Sequence, residues 1–233
     1  VARVPNFAHG SIYVLVGFLT WSFVNDLKMN YALAIILSLV IASIVGLLIY
    51  RLVLIRLRGM PTSEIIASFA VSLIILEGLR MQGIAGFKGF IGPFYTLRPF
   101  VEGKINIAGV FLDYQRLIII GAGLGLVIFL WVFTHHTKIG LSLRAIAQDE
   151  RAAMMLGVNS DRTAMISLSI GSALAGLAAV IILPLGSVRA EEGYRVLIYA
   201  LAVCIIGGLG SWGGAVLASF VLAFAMKIST SFF

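Results

Sequence analysis

From Val196 to Met226 the chain reads VLIYALAVCIIGGLGSWGGAVLASFVLAFAM, a run without a single Asp, Glu, Lys, Arg or His. A helix rises about 1.5 Å per residue, so about 20 apolar residues cross the hydrocarbon of a bilayer. This run is longer than one crossing needs, and GGLGSWGG (207–214) interrupts it. Glycine tolerates the backbone angles of a tight turn, so the run predicts two helices meeting at Gly207, Gly208, Gly210, Gly213 and Gly214. Working outward, residues 31–50, 117–134 and 163–185 are full-length apolar segments, whereas 10–24 and 65–79 are short ones. The predicted fold class is an all-α integral membrane protein, a polytopic helical bundle of about six to seven spans with a broken, Gly-rich helix pair.

Composition agrees. Of 233 residues, 61% are hydrophobic and 12% charged, against about 25% charged in soluble domains. A mean hydropathy of +1.07 is too apolar for one buried core, which excludes a soluble enzyme. The 17 Lys and Arg outnumber the 10 Asp and Glu, a net charge of +7. In this setting the excess predicts basic loops beside membrane lipid rather than a nucleic-acid partner. The single Cys204 cannot form an intrachain disulfide and, in its apolar run, is expected to be a small packing residue. Residues 1–233 read as one domain in a cell (inner) membrane. No secretory signal peptide is visible, and the start at Val1 without a methionine suggests a preceding segment.

Two connections stand out. Residues 80–116 form a long extracytoplasmic loop with Pro93 and Pro99, in which 102–110 predicts a small hairpin. In residues 135–162, Leu143, Ile146, Ala147, Ala153 and Met154 alternate with Arg144, Gln148, Asp149, Glu150 and Arg151. That spacing predicts one or two short amphipathic helices at the membrane surface. Alternation of spans puts this loop on the same side as Arg51, Arg56 and Arg58, and the density of Lys and Arg in both assigns that side to the cytoplasm.

Apart from Glu77, which with Glu64 sits near the ends of the third span and reads as capping or snorkelling, the predicted spans carry no Asp, Glu, Lys, Arg or His, which weighs against proton- or ion-coupled transport. Residues 208–213 fit G-x-G-x-x-G on paper, but a charge-free membrane segment lacks the acidic residue that nucleotide binding needs. No P-loop motif occurs, and no catalytic residues are assigned. Adjacent His135 and His136 point to different helix faces, so interfacial anchoring is favoured over metal binding. Gly121, Gly123 and Gly125, and Gly171 with Gly176, supply small-residue faces for helix packing.

Three stretches together resemble the permease subunit of branched-chain amino acid ATP-binding cassette (ABC) importers. They are Asn6-Phe7-Ala8-His9-Gly10, the loop from Thr137 to Arg162, and Ile206 to Ala215. The first resembles one of the two homologous permeases such importers pair. Within the loop, Glu150-Arg151-Ala152-Ala153 with Gly157 resembles the E-A-A-x-x-x-G pattern of a cytoplasmic coupling helix, with one residue inserted. The resemblance implies that Arg144, Asp149, Glu150, Ala152, Ala153, Gly157 and Asp161 dock an ATPase. It implies a substrate pathway shaped by Asn6, His9, Gly10, Tyr199 and the glycines of the turn. The implied partners are a second homologous permease, two ATP-binding cassette ATPase subunits and a periplasmic or surface amino-acid-binding protein. ATP and Mg would bind those ATPases, leaving no cofactor and no metal in this chain. Relatives carry a further apolar helix at each end and often a basic residue where Tyr199 stands. The rival readings are a stand-alone channel or facilitator, and an inactive fragment.

Overall fold

The computed structural model describes residues 6–81, 101, 103–107, 110–186, 189, 191–208 and 210–232. Helix α1 runs His9–Asn25, α2 Tyr31–Leu52 and α3 Pro61–Met81, with a 3-10 turn at Leu54–Leu57 between the last two. Strands β1 (Lys104–Ile107) and β2 (Val110–Asp113) lead into α4 (Tyr114–His136). The 135–162 loop folds as α5 (Lys138–Gln148) and α6 (Glu150–Met155), followed by α7 (Ser160–Ile182), a 3-10 turn at Leu183–Leu185, α8 (Glu192–Gly207) and α9 (Trp212–Phe232). Among the described residues, five helical segments are long and apolar enough to cross a membrane: Tyr31–Leu57, Pro61–Arg80, Tyr114–His136, Ser160–Leu185 and Gly213–Phe232. Helices α1 and α8, at 17 and 16 residues, are shorter.

The third segment is not short, as the apolar run alone suggested. Pro61 starts α3 four residues before that run, where its fixed φ and missing N–H suit a first turn. Glu64 then accepts from the Gly59 N–H at 3.2 Å, placing a carboxylate at the positive end of the helix.

Helix α1 is the axis of the bundle. It is apolar on every side, and such a helix is stable only when surrounded. Ala8, Ile12, Val14 and Val16 are 0% exposed, and α2, α3, α7 and α8 pack around them. Tyr13, Val14 and Phe18 join Leu76, Leu79, Ala179 and Leu183 on one side, while Ile12 and Val16 meet Ala42, Ile49 and Val180 on another. Ser11 and Thr20 satisfy their buried hydroxyls by donating to the Ala8 and Val16 carbonyls, each at 2.8 Å.

Helices α4 and α9 lie at the periphery. Gly121, Gly123 and Gly125 of α4 have nothing against them, so the expectation that they pack inside the chain fails, whereas Gly176 does pack, against Val16. Small residues matter only where helices touch. The hairpin is present, two residues long of its predicted start and three past its end, with Lys104 opposite Asp113 and paired with it at 3.8 Å. Of the long loop, residues 82–100, 102, 108 and 109 lie outside the described residues.

Candidate functional site

The loop from Thr137 to Arg162 is built from three capped helix starts. Thr137 accepts from the Gly140 N–H at 3.0 Å, Asp149 from Ala152 at 3.1 Å and Asn159 from Arg162 at 2.9 Å. Each cap satisfies a donor that the first turn of a helix leaves unpaired. Helix α6 ends where Val158 N–H reaches back to the Ala153 carbonyl at 3.1 Å. That closure needs a left-handed residue, and Gly157 supplies it with φ +86.

Arg58, from the loop between α2 and α3, braces this assembly. Its guanidinium pairs with Glu150 at the start of α6 and with Asp161 at the start of α7, and donates to Ser160 Oγ at 2.7 Å. Ser160 in turn donates to Glu150 at 2.6 Å, and the Tyr50 hydroxyl donates to Asp161 at 3.0 Å. The hydrogen bond from Ser160, together with Arg58, holds the Glu150 carboxyl below its ordinary pKa in spite of partial burial. Burial disfavours the Arg58 cation, but Glu150 and Asp161 more than offset this and keep its pKa above the usual value. Glu150 and Asp161 were assigned to the loop from sequence. Arg58 was seen there only as a topology signal, because its partners lie 92 and 103 residues away.

What the brace leaves exposed is apolar. Met155 is 90% and Leu156 84% exposed, beside an exposed Ala152, while Ala153 turns inward and is buried. Arg144 does not join this group. It lines a cleft of about 370 Å³ with Gly208, Gly210 and Ser211 of the glycine turn.

That turn forms as predicted. Gly208 and Gly210 adopt φ +81 and +95, and the backbones of Gly207 and Gly214 touch, since a Cβ on either would overlap the other's backbone. Leu209 lies outside the described residues. Cys204 corrects the sequence reading. It is exposed and forms part of the cleft wall, on a face of α8 that neither α1, at the start of the helix, nor α9, at Gly207, covers.

At the other end of the predicted pathway, Asn6 accepts from the Ala8 N–H at 3.0 Å, and its amide lies 3.4 Å from His9 Nδ1. The far edge of the His9 ring lies over Gly171, in the middle of α7, and the Phe7 N–H donates to Ser68 of α3 at 3.2 Å. His9, one residue before the predicted span, therefore lies beside the midpoint of α7, because α1 begins inside the bundle rather than at its edge. Gly10 lines no opening, since a Cβ there would overlap the Gly193 carbonyl of α8. The predicted pathway residues are not gathered at one point. Gly10 meets the start of α8, Gly207 ends it about 21 Å away, and half-buried Tyr199 lies between.

His135 and His136 both contact Trp131, with ring centroids at 5.0 and 5.9 Å. Among the described residues no group of three His, Cys, Asp or Glu could hold a metal.

These features define a polytopic helical membrane protein with a rigid, surface-lying loop on one side. Over residues 1–233 the sequence matches the family described as branched-chain amino acid transport system / permease component, and the chain belongs to that family. It is 26% identical over 240 residues to the high-affinity branched-chain amino acid transport system permease protein BraD of Pseudomonas aeruginosa, covering 98% of this chain and 77% of that protein. It is 25% identical over 238 residues to the corresponding permease protein LivH of Escherichia coli K12, covering 97% and 76%. The autoinducer 2 import system permease protein LsrD of Escherichia coli is 28% identical over 193 residues, 78% of this chain and 53% of that protein. No solved structure matches the chain. The chain is thus a multi-pass membrane permease subunit of an ABC importer, a transporter component rather than an enzyme. Importers of this family work with ATPase and binding-protein partners.

Proposed function

We propose that this chain carries branched-chain or related amino acids across the cell membrane, paired with a second homologous permease, driven by two ATPase subunits and supplied by a periplasmic or surface binding protein. ATP and Mg act on the ATPases, and this chain holds neither. The observation that carries the reading is the loop of residues 135–162, in which three caps and the Arg58 brace hold an apolar knob of Met155 and Leu156 outside the bundle. Asp149, Glu150, Gly157 and Asp161 frame the knob, and Ala152 gives it a flat flank, while Ala153 anchors it inward. An ATPase groove closing on this knob moves α6 and, through Arg58, both α7 and the loop joining α2 to α3. The packed helices around α1 then shift between outward and inward access. Asn6 and His9 at mid-depth, Tyr199, and the Gly207 to Gly214 turn border the route, with Gly10 setting the spacing of α1 and α8.

The test is co-purification of the ATPase with tagged permease from mild detergent. Met155→Asp with Leu156→Asp changes only exposed side chains, so the permease is expected to insert and elute normally while the ATPase is lost. Full retention of the ATPase would remove the docking assignment.

A further inference from the structure

The cleft beneath the glycine turn has the composition of a ligand site. Its volume, about 370 Å³, lies within the range of small-molecule pockets, about 300–1,000 Å³. Its lining mixes polar groups, Arg144 of α5, Ser167 of α7 and Ser211 of the turn, with apolar ones, Leu143 and Ala147 on the same helix as Arg144, and Ala215 at the start of α9.

Among the described residues Arg144 has no carboxylate within 4.0 Å, unlike Arg58, Arg80, Arg116 and Arg195, and it lines the cleft. A guanidinium facing a cleft without a carboxylate partner is available to bind an anion through two parallel N–H donors. Ser211 Oγ accepts from the Gly214 N–H at 3.1 Å, which leaves its O–H free to donate into the same space. The apolar part of the lining, Leu143, Ala147 and Ala215, sets the rest of the occupant, a compact hydrocarbon body attached to a carboxylate.

We propose that this cleft is a cytoplasmic-side binding site for an amino acid with an aliphatic side chain, its carboxylate held by Arg144 and its side chain laid on Leu143, Ala147 and Ala215. The inference rests on the amino-acid substrate reading above, and it assigns Arg144 to the substrate rather than to the ATPase.

Cys204, the chain's single cysteine, stands in the cleft wall and reports on occupancy. In nanodisc-held importer complexes, the rate of maleimide addition to Cys204 is read from the mass of this chain, with and without leucine. With leucine at about nine times its dissociation constant, labelling is expected to slow about tenfold. Isopentylamine, which keeps the hydrocarbon body and lacks the carboxylate, is expected to leave the rate unchanged. Arg144→Gln is expected to abolish the slowing by leucine, and Arg144→Lys to keep part of it. Equal protection by isopentylamine, or full protection in Arg144→Gln, would overturn the carboxylate assignment. An unchanged rate in complexes that import leucine when given ATP would overturn the site and leave the transport reading standing. An unchanged rate together with no leucine import would remove both.

Discussion

Two regions of this protein are held together by opposite means. At the 135–162 loop, Arg58, Glu150, Ser160, Asp161 and Tyr50 form a polar brace between segments far apart in sequence. At the crossings of α1 with α8 and of α8 with α9, the contact is backbone against backbone, Gly10 on Gly193 and Gly207 on Gly214. The first depends on charge and responds to salt and pH. The second depends on the absence of a single carbon and responds to neither. A subunit that must pass motion from a soluble partner into the membrane needs both, a stiff handle in water and close-fitting helices in lipid, where no hydrophobic force drives helix association.

The contrast can be broken hardest at the glycine crossing. Gly10→Val drives two methyl groups into the Gly193 carbonyl, and overpacking of this kind is expected to cost about 3 kcal/mol, seen as loss of monodisperse protein by size-exclusion chromatography. Gly157→Val tests the handle's backbone instead. Space around Gly157 is open, so the cost is left-handed strain alone, about 1.5 kcal/mol; insertion is expected to survive while ATP-driven uptake falls, and normal uptake would argue against a coupling role for α6. Arg58→Met removes the brace. Its side chains are about a third or more exposed, so the expected loss is about 1 kcal/mol, a drop of about 3 °C in melting temperature. Because screening weakens exposed pairs, the difference from wild type should shrink in molar salt, whereas that of Gly10→Val should not.

The smallest expected effect is on pH. Glu150 has a lowered pKa in the fold, so its contribution is complete above the usual glutamate value of about 4.3 and is lost as pH falls through the lower folded value. Proteolysis of the 150–162 segment is expected to rise over that acid window, and Glu150→Gln should remove the pH step. A step that persists in Glu150→Gln would place the titration on another group.

The spans were legible in the sequence because charge-free runs near 20 residues have one cheap solution in a membrane. The glycine turn was legible for a related reason, since GGLGSWGG can only bend such a run. The depth of His9 was not legible. A residue at the edge of an apolar run reads as interfacial, and only the packing of α1 inside four other helices shows that its start lies beside the middle of α7. Arg58 was equally hidden, because a residue's partner across more than ninety positions leaves no local pattern. Cys204 misled for the same reason in reverse, its apolar neighbours describing the helix and not which face of it is covered. Arg144 was grouped with Glu150 by proximity in sequence, although the cap at Asp149 turns α6 away and leaves Arg144 on the cleft.

The central claim is that the Arg58 brace transmits the ATPase's motion, and it is tested most directly by leucine uptake per ATP hydrolysed in reconstituted importers carrying Arg58→Met. The account predicts that hydrolysis persists while uptake per ATP falls well below wild type. Unchanged uptake per ATP would show that motion reaches the membrane helices by another route.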